Sequence, residues 1–355
     1  MMEKSERYNP EVDVWRFLFA LAVFFHHSHH FKTTSGQSWF LGGFLGVEFF
    51  FMVSGYLMAS KIALPAGGEL PTHQFLWRKI RSIYPYVIAS FFLAFVSRQI
   101  VEKAGLLTGV KNLFLGANEG LLLQMYGMFG GKYNRAMWYL SAMLIAMAIL
   151  YSIACRWKDF FFHVGAPMVG LISYGILYQC SSRLTVTDEW YGVIMLGVIR
   201  AIAGISLGVF CYICCEKVKK YAERMTVSGN RIFMLVEIFT LFLLLCIFNF
   251  SRELGLNNKD YDYVAVMLLF ILVFVVFSEL TGIKQRFKKP QRYKALAGLY
   301  ILLIVGGKWS YRHYMFWYVI GTGIAMLCCY LLVKGVTVIS KRAKPSIAGF
   351  FLRQE

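Results

Sequence analysis

Charge is what this chain has least of. Lys, Arg, Asp and Glu together make up 16% of 355 residues, and the acidic ones number only 19. A soluble domain carries roughly 25% charged residues, so a water-borne globule of this size would lack polar groups to coat its surface. Internal repeats and low-complexity tracts are also missing, which excludes solenoids and a disordered, solvating chain. The opening stretch MMEKSERYNPEVDVWR is polar for too long and has no small-residue cleavage site, so the first apolar run is expected to be retained as a helix. Cysteines number 8; Cys211, Cys214 and Cys215 resemble half a metal site but have no histidine near them, and helix packing is the plainer reading.

Apolar residues are abundant, at 58%, with a mean hydropathy of +0.56. A bilayer removes the need for a polar coat, because lipid-facing helices satisfy their own backbone groups. The expected fold class is therefore all-α: a polytopic integral membrane protein, one domain over 1–355 with no appended soluble module. Ten spans are expected, at 14–31, 39–60, 83–99, 137–155, 160–179, 191–215, 231–249, 261–278, 293–307 and 312–339. The loop 100–136 is the longest, and its stretch GLLLQMYGMFG (120–130) is apolar enough to be re-entrant or interfacial.

The net charge of +18 by itself suggests nucleic acid, but its distribution argues otherwise. Lys and Arg cluster between the apolar runs, and no nucleic-acid-binding signature accompanies them. With both termini in the cytoplasm, 24 of the 37 basic residues fall inside and 11 outside, with Arg200 and Lys334 within spans. The asymmetry has the sign of the positive-inside rule, and merging the last two spans weakens it.

Ionisable groups within spans are costly, which makes each a functional candidate. Arg16 and His27 are eleven residues apart, about 1100° of helix rotation, so they share one face of span one, separated by about 16 Å along the axis. Arg16 belongs near the cytoplasmic surface and His27 halfway across or beyond; the plainer alternative makes His27, His29 and His30 an outer helix end. A metal held by His26 and His30 lacks any carboxylate or cysteine to complete it, and none is expected. Glu48, within span two, needs a partner or a proton. Imidazole on span one or Arg200 on span six can supply the partner, and a purely structural ion pair is the alternative. Gly42, Gly43, Gly46 and Gly55 allow close helix approach. At the entry to span three, Arg78 and Arg81 form an i, i+3 pair if helical, with Lys79 between them. They suit a polyanion, although basic residues there also fix topology and touch lipid phosphates.

Three segments in order then resemble one family: Arg16-x10-His27, Gly46-Val47-Glu48-Phe49-Phe50-Phe51-Met52-Val53-Ser54-Gly55-Tyr56-Leu57, and Arg78-x2-Arg81 with Ile83-Tyr84-Pro85. Weaker echoes follow at Trp138-Tyr139-Leu140-Ser141, Arg200-Ala201-Ile202-Ala203-Gly204 and Ser310-Tyr311. Together they are similar to the membrane-bound acyltransferase 3 family. The chain departs from it at Met143 and Trp317, where members often carry glutamate and histidine, and Glu48 replaces a commoner aspartate.

The resemblance implies transfer of an acyl group, usually acetyl, from cytoplasmic acetyl-CoA to a hydroxyl of an envelope carbohydrate or glycolipid, in a bacterial inner membrane. On that reading Arg78, Lys79 and Arg81 take the coenzyme phosphates as charge-assisted donors, with Trp138 also on the donor side. His27 serves as general base, since imidazole titrates near about 6.5 when unperturbed, and Glu48 or Arg16 orients it or balances its charge. Arg200 and backbone donors at a Ser54–Gly55 bend are the candidates for oxyanion stabilisation. A transporter or flippase of a polar envelope precursor is the competing function, with Arg16, Glu48 and Arg200 lining its path; no pair of Pro-broken helices in matching positions supports it.

Overall fold

A computed structural model describes residues 9–27, 40–64, 70–103, 105–127, 133–222, 227–250, 254–256 and 258–281, with 323–324, 326–328, 330–331 and 334. The expected span 293–307, His29 and His30 lie outside the described residues, as does the span 312–339 apart from the positions just given. The helices are α1 (Pro10–His27), α2 (Gly46–Ile62), α3 (Thr72–Val101), α4 (Leu106–Gly120) and α5 (Trp138–Arg156). A rod follows, made of α6 (Lys158–Phe160), a π-helical turn (Phe161–Gly165) and α7 (Ala166–Cys180). The chain continues through α8 (Leu196–Ala222), α9 (Val227–Phe250) and α10 (Lys259–Ser278). Among the described residues seven helices are long and apolar enough to cross a membrane: Leu41–Ile62, Thr72–Ile100, Trp138–Arg156, Lys158–Cys180, Leu196–Lys219, Gly229–Phe250 and Lys259–Ser278. Helix α1 precedes them and is the more polar for Glu11 and Asp13 in its first turn and His26 and His27 in its last.

Spans two, four, five, seven and eight begin and end within a few residues of expectation. Three places differ. The third helix starts at Thr72, eleven residues before the apolar run, so Arg78, Lys79 and Arg81 ride on the helix itself. Residues 191–195, read as the start of span six, instead belong to a hairpin of β1 (Trp190–Tyr191) and β2 (Ile194–Met195), and α8 begins only at Leu196. The Ser54–Gly55 bend is absent, because α2 is continuous from Gly46 to Ile62.

Helix α8 is the hub, packed against α2, α5, α7 and α10. Its contact with α2 is as close as backbones allow. A side chain at Gly55 would lie 2.0 Å from the Ile205 carbonyl oxygen, and one at Gly208 would lie 2.0 Å from that of Met52. Such mutual glycines substitute van der Waals contact for the hydrophobic drive that helices lack in lipid.

The stretch 100–136, expected as a long loop, holds a helix of its own, α4. Helix α3 has 30 residues, about 45 Å at 1.5 Å each, more than a hydrocarbon core of about 30 Å. After a turn, α4 runs back along the C-terminal half of α3. Asn112 Nδ2 donates to Gln99 Oε1 at 3.4 Å, and the Gly116 and Gly120 positions abut the Phe91 ring. Polarity in α4 is inverted, with Asn112, Asn118 and Glu119 buried while Leu106 is 88% and Phe114 77% exposed. The apolar side of such a helix belongs against lipid. The following segment stays deep: Asn134 Nδ2 reaches Ser90 Oγ at 3.3 Å, near the middle of α3.

Candidate active site

Helix α1 carries Arg16 and His27 on one continuous rod, as the eleven-residue spacing predicts. Aromatic pairs fix that rod against its neighbours; Phe19 stacks on Phe49 of α2 at 4.4 Å and meets Phe248 of α9 edge-on at 6.1 Å, while His26 tilts over Phe44 at 5.4 Å. The Nδ1 of His27 lies 2.8 Å from the Val23 carbonyl oxygen. A carbonyl can only accept, so Nδ1 is the donor here, and in the neutral imidazole Nε2 is then the basic nitrogen.

His27 and Trp138 line one cavity of about 110 Å³, together with Phe44, Tyr139, Thr187 and Arg200 among others. Its walls come from distant parts of the chain. Met125 N donates to Ser141 Oγ at 3.1 Å, and Asn134 Oδ1 accepts from Ala136 N at 3.1 Å, so the deep segment before α5 sets where Trp138 begins. Behind it, the carboxylate of Glu119, fully buried, accepts from Tyr133 N at 2.7 Å and Asn134 N at 2.6 Å. Sequence reading passed over Glu119, since a glutamate in a loop expected outside the membrane carries no signal of burial.

Of the two partners considered for Glu48, the structure has Arg200. Both are buried, at 0% and 1% exposure. Arg200 Nε donates to Glu48 Oε1, and Tyr174 Oη donates to Oε2. Arg200 Nη1 donates to the Leu184 carbonyl, Nη2 to that of Phe44 at 3.0 Å, and the guanidinium lies 5.4 Å from the Trp138 ring centroid. A charge removed from water needs its hydrogen bonds met within the protein, and each guanidinium nitrogen of Arg200 donates one, using three of its five N–H groups. The unbroken α2 removes the supposed Ser54–Gly55 bend donors. At Met143, where family members often have glutamate, Sδ accepts from Ser54 Oγ at 3.5 Å.

The remaining expected residues lie away from this cavity. Arg16 Nη1 pairs with Asp13 at 3.0 Å. Arg16 and Lys61, at the end of α2, both act electrostatically on Lys79 of α3, so three cations from three helices converge. Arg78 and Arg81, one turn apart on α3, are exposed. The structure thus gathers the expected residues into two groups, half-buried His27 and Trp138 on the cavity beside the buried Glu48–Arg200 pair, and Arg16, Arg78, Lys79 and Arg81 toward the end of α3 that carries Thr72.

Comparison with known proteins agrees with the sequence motifs. The family model described as "Acyltransferase domain" (acyltransferase 3) matches residues 9–334. A protein named "Putative O-acetyltransferase" from Staphylococcus aureus (strain MSSA476) is 23% identical over 219 residues, 56% of this chain and 35% of that protein. The "Putative peptidoglycan O-acetyltransferase YrhL" of Bacillus subtilis (strain 168) is 37% identical over 92 residues, 25% of this chain and 13% of that protein. The matched region thus spans about a third or less of the length of these curated relatives. No solved structure matches the chain. With its helices long enough to cross a membrane and the family match running almost end to end, this multi-pass membrane protein belongs to the acyltransferase 3 family.

Proposed function

We propose that the protein transfers an acetyl group from cytoplasmic acetyl-CoA to a hydroxyl of an envelope carbohydrate, with His27 as general base. The observation that carries the reading is the place of His27 on the wall of a half-open cavity, with its Nδ1 2.8 Å from the Val23 carbonyl oxygen. The acceptor O–H gives its proton to Nε2 as its oxygen attacks the thioester carbonyl. The C–S bond breaks, and the imidazolium returns the proton to the departing thiolate. Arg78, Lys79 and Arg81 hold the coenzyme phosphates, with Arg16 and Lys61 adding positive potential at the same end. Glu48 serves by neutralising Arg200, which in turn holds Trp138 and the Phe44 and Leu184 carbonyls around the cavity. An O-acetyltransferase name on two relatives supports the reaction class, and the word peptidoglycan in one supports a carbohydrate acceptor.

The test is His27→Ala in purified protein supplied with acetyl-CoA and a panel of envelope glycans. Transfer is expected to vanish while coenzyme A binding persists. Wild-type rates in the variant would remove His27 from the chemistry; transport of solute without coenzyme A release would favour a transporter instead.

A further inference from the structure

The loop that joins α7 to the β1–β2 hairpin is held far more firmly than a surface connection needs. Arg183 donates from Nε and Nη2 to the two carboxylate oxygens of Asp262 on α10, both at 2.7 Å, and Leu184 N donates to the same carboxylate at 3.1 Å. Asp262 is only 1% exposed. Leu184 O accepts from Arg200, and Thr187 O accepts from Gly197 N at 2.9 Å. Two buried charges from different helices thus fix one short stretch of chain from both sides. Anchoring of this kind is costly, and it is typical of supports that hold a binding group in a set position.

Between those anchors the stretch carries Thr185 and Thr187. Both line the cavity that contains His27. Neither hydroxyl has a hydrogen-bond partner among the described residues, whereas each guanidinium nitrogen of Arg200, on the same wall, is bonded to the protein. The loop follows α7 and precedes α8, on the side opposite the cytoplasmic loops that the charge distribution assigns. Two unengaged hydroxyls beside aromatic walls, at Trp138 and Tyr139, make a surface that selects ligands with several hydroxyls and an apolar face.

We propose that Thr185 and Thr187 form the acceptor subsite and read a sugar ring through at least two of its hydroxyls. This assignment rests on the acyl-transfer reading above. The wild-type protein is compared with Thr185→Val, Thr187→Val, the double variant and the double serine variant, in nanodiscs with acetyl-CoA. The acceptors are N-acetylglucosamine with soluble peptidoglycan fragments, and 1-propanol as an acceptor with a single hydroxyl. Each valine is expected to raise KM for the sugar by about tenfold, the loss of one hydrogen bond. In the double variant the preference for sugar over propanol falls by about a hundredfold, serine restores it, and the affinity for coenzyme A holds within about twofold. General damage to the fold would lower both acceptors together and leave that ratio in place. An unchanged ratio in the double variant, with wild-type transfer to sugar intact, overturns the subsite alone. No sugar-stimulated release of coenzyme A by the wild type overturns the acyl-transfer reading on which it rests.

Discussion

Replacing Glu48 by alanine leaves Arg200 charged, buried and short of its counter-ion. A guanidinium does not shed its proton in a protein, so the variant has no route to neutrality, and Tyr174 loses its acceptor as well. Removing one member of a buried pair costs about 3–5 kcal/mol, whereas replacing both members by apolar groups is often close to neutral. At about 2–4 °C for each kcal/mol, Glu48→Ala should lower the midpoint of thermal unfolding by on the order of 10 °C. Arg200→Met alone should also destabilise, because it strands the Glu48 carboxylate and the Leu184 and Phe44 carbonyls. The double variant is the informative one. It should recover much of the loss, with a coupling of about 3 kcal/mol between the sites. The assay is retention of monodisperse protein in detergent after heating, read for all four forms. Strict additivity of the two single losses would refute the argument that these charges neutralise each other.

Arg78→Ala and Arg81→Ala should each raise KM for acetyl-CoA by about tenfold, with the difference from wild type shrinking as salt is added; steady-state kinetics at two ionic strengths decide it. Glu119→Ala strands the N–H groups of Tyr133 and Asn134 and should cost about 2–6 kcal/mol, while Glu119→Gln, which keeps one acceptor oxygen, should cost less; thermal unfolding ranks them. Burial, with Glu237 beside it, pushes the Glu11 carboxyl up to about 8. The folded state then binds more protons than the unfolded one, so this contribution to stability is present at acidic pH and is lost as pH rises through about 8. Unfolding midpoints of Glu11→Gln and wild type between pH 5 and 9 should diverge with that sign.

The seven apolar spans could be read from composition because each needs nothing but its own residues to announce itself. Arg16-x10-His27 was legible for a similar reason, since helical rotation alone puts two residues on one face. Glu48 was half legible: its burial demanded a partner and Arg200 was on a short list, but Tyr174 is an ordinary aromatic in a span until the fold brings it across. Glu119, Arg183 and Asp262 escaped altogether. Arg183 and Asp262 are 79 positions apart, and each is unremarked in its own neighbourhood, a loop cation and an acid in the first turn of a helix. Helix α4 was misjudged for the opposite reason. LLTGVKNLFLGANEG is too short for a span and too greasy for a loop, and only packing against α3 decides which side faces outward.

That last helix changes how the entrance to the protein should be pictured. Leu106, Leu107 and Phe114 stand exposed on α4, an apolar flank suited to acyl tails rather than water. A hydrophilic ligand would find little to bind on that flank, so a polar entrance has to lie elsewhere on the bundle.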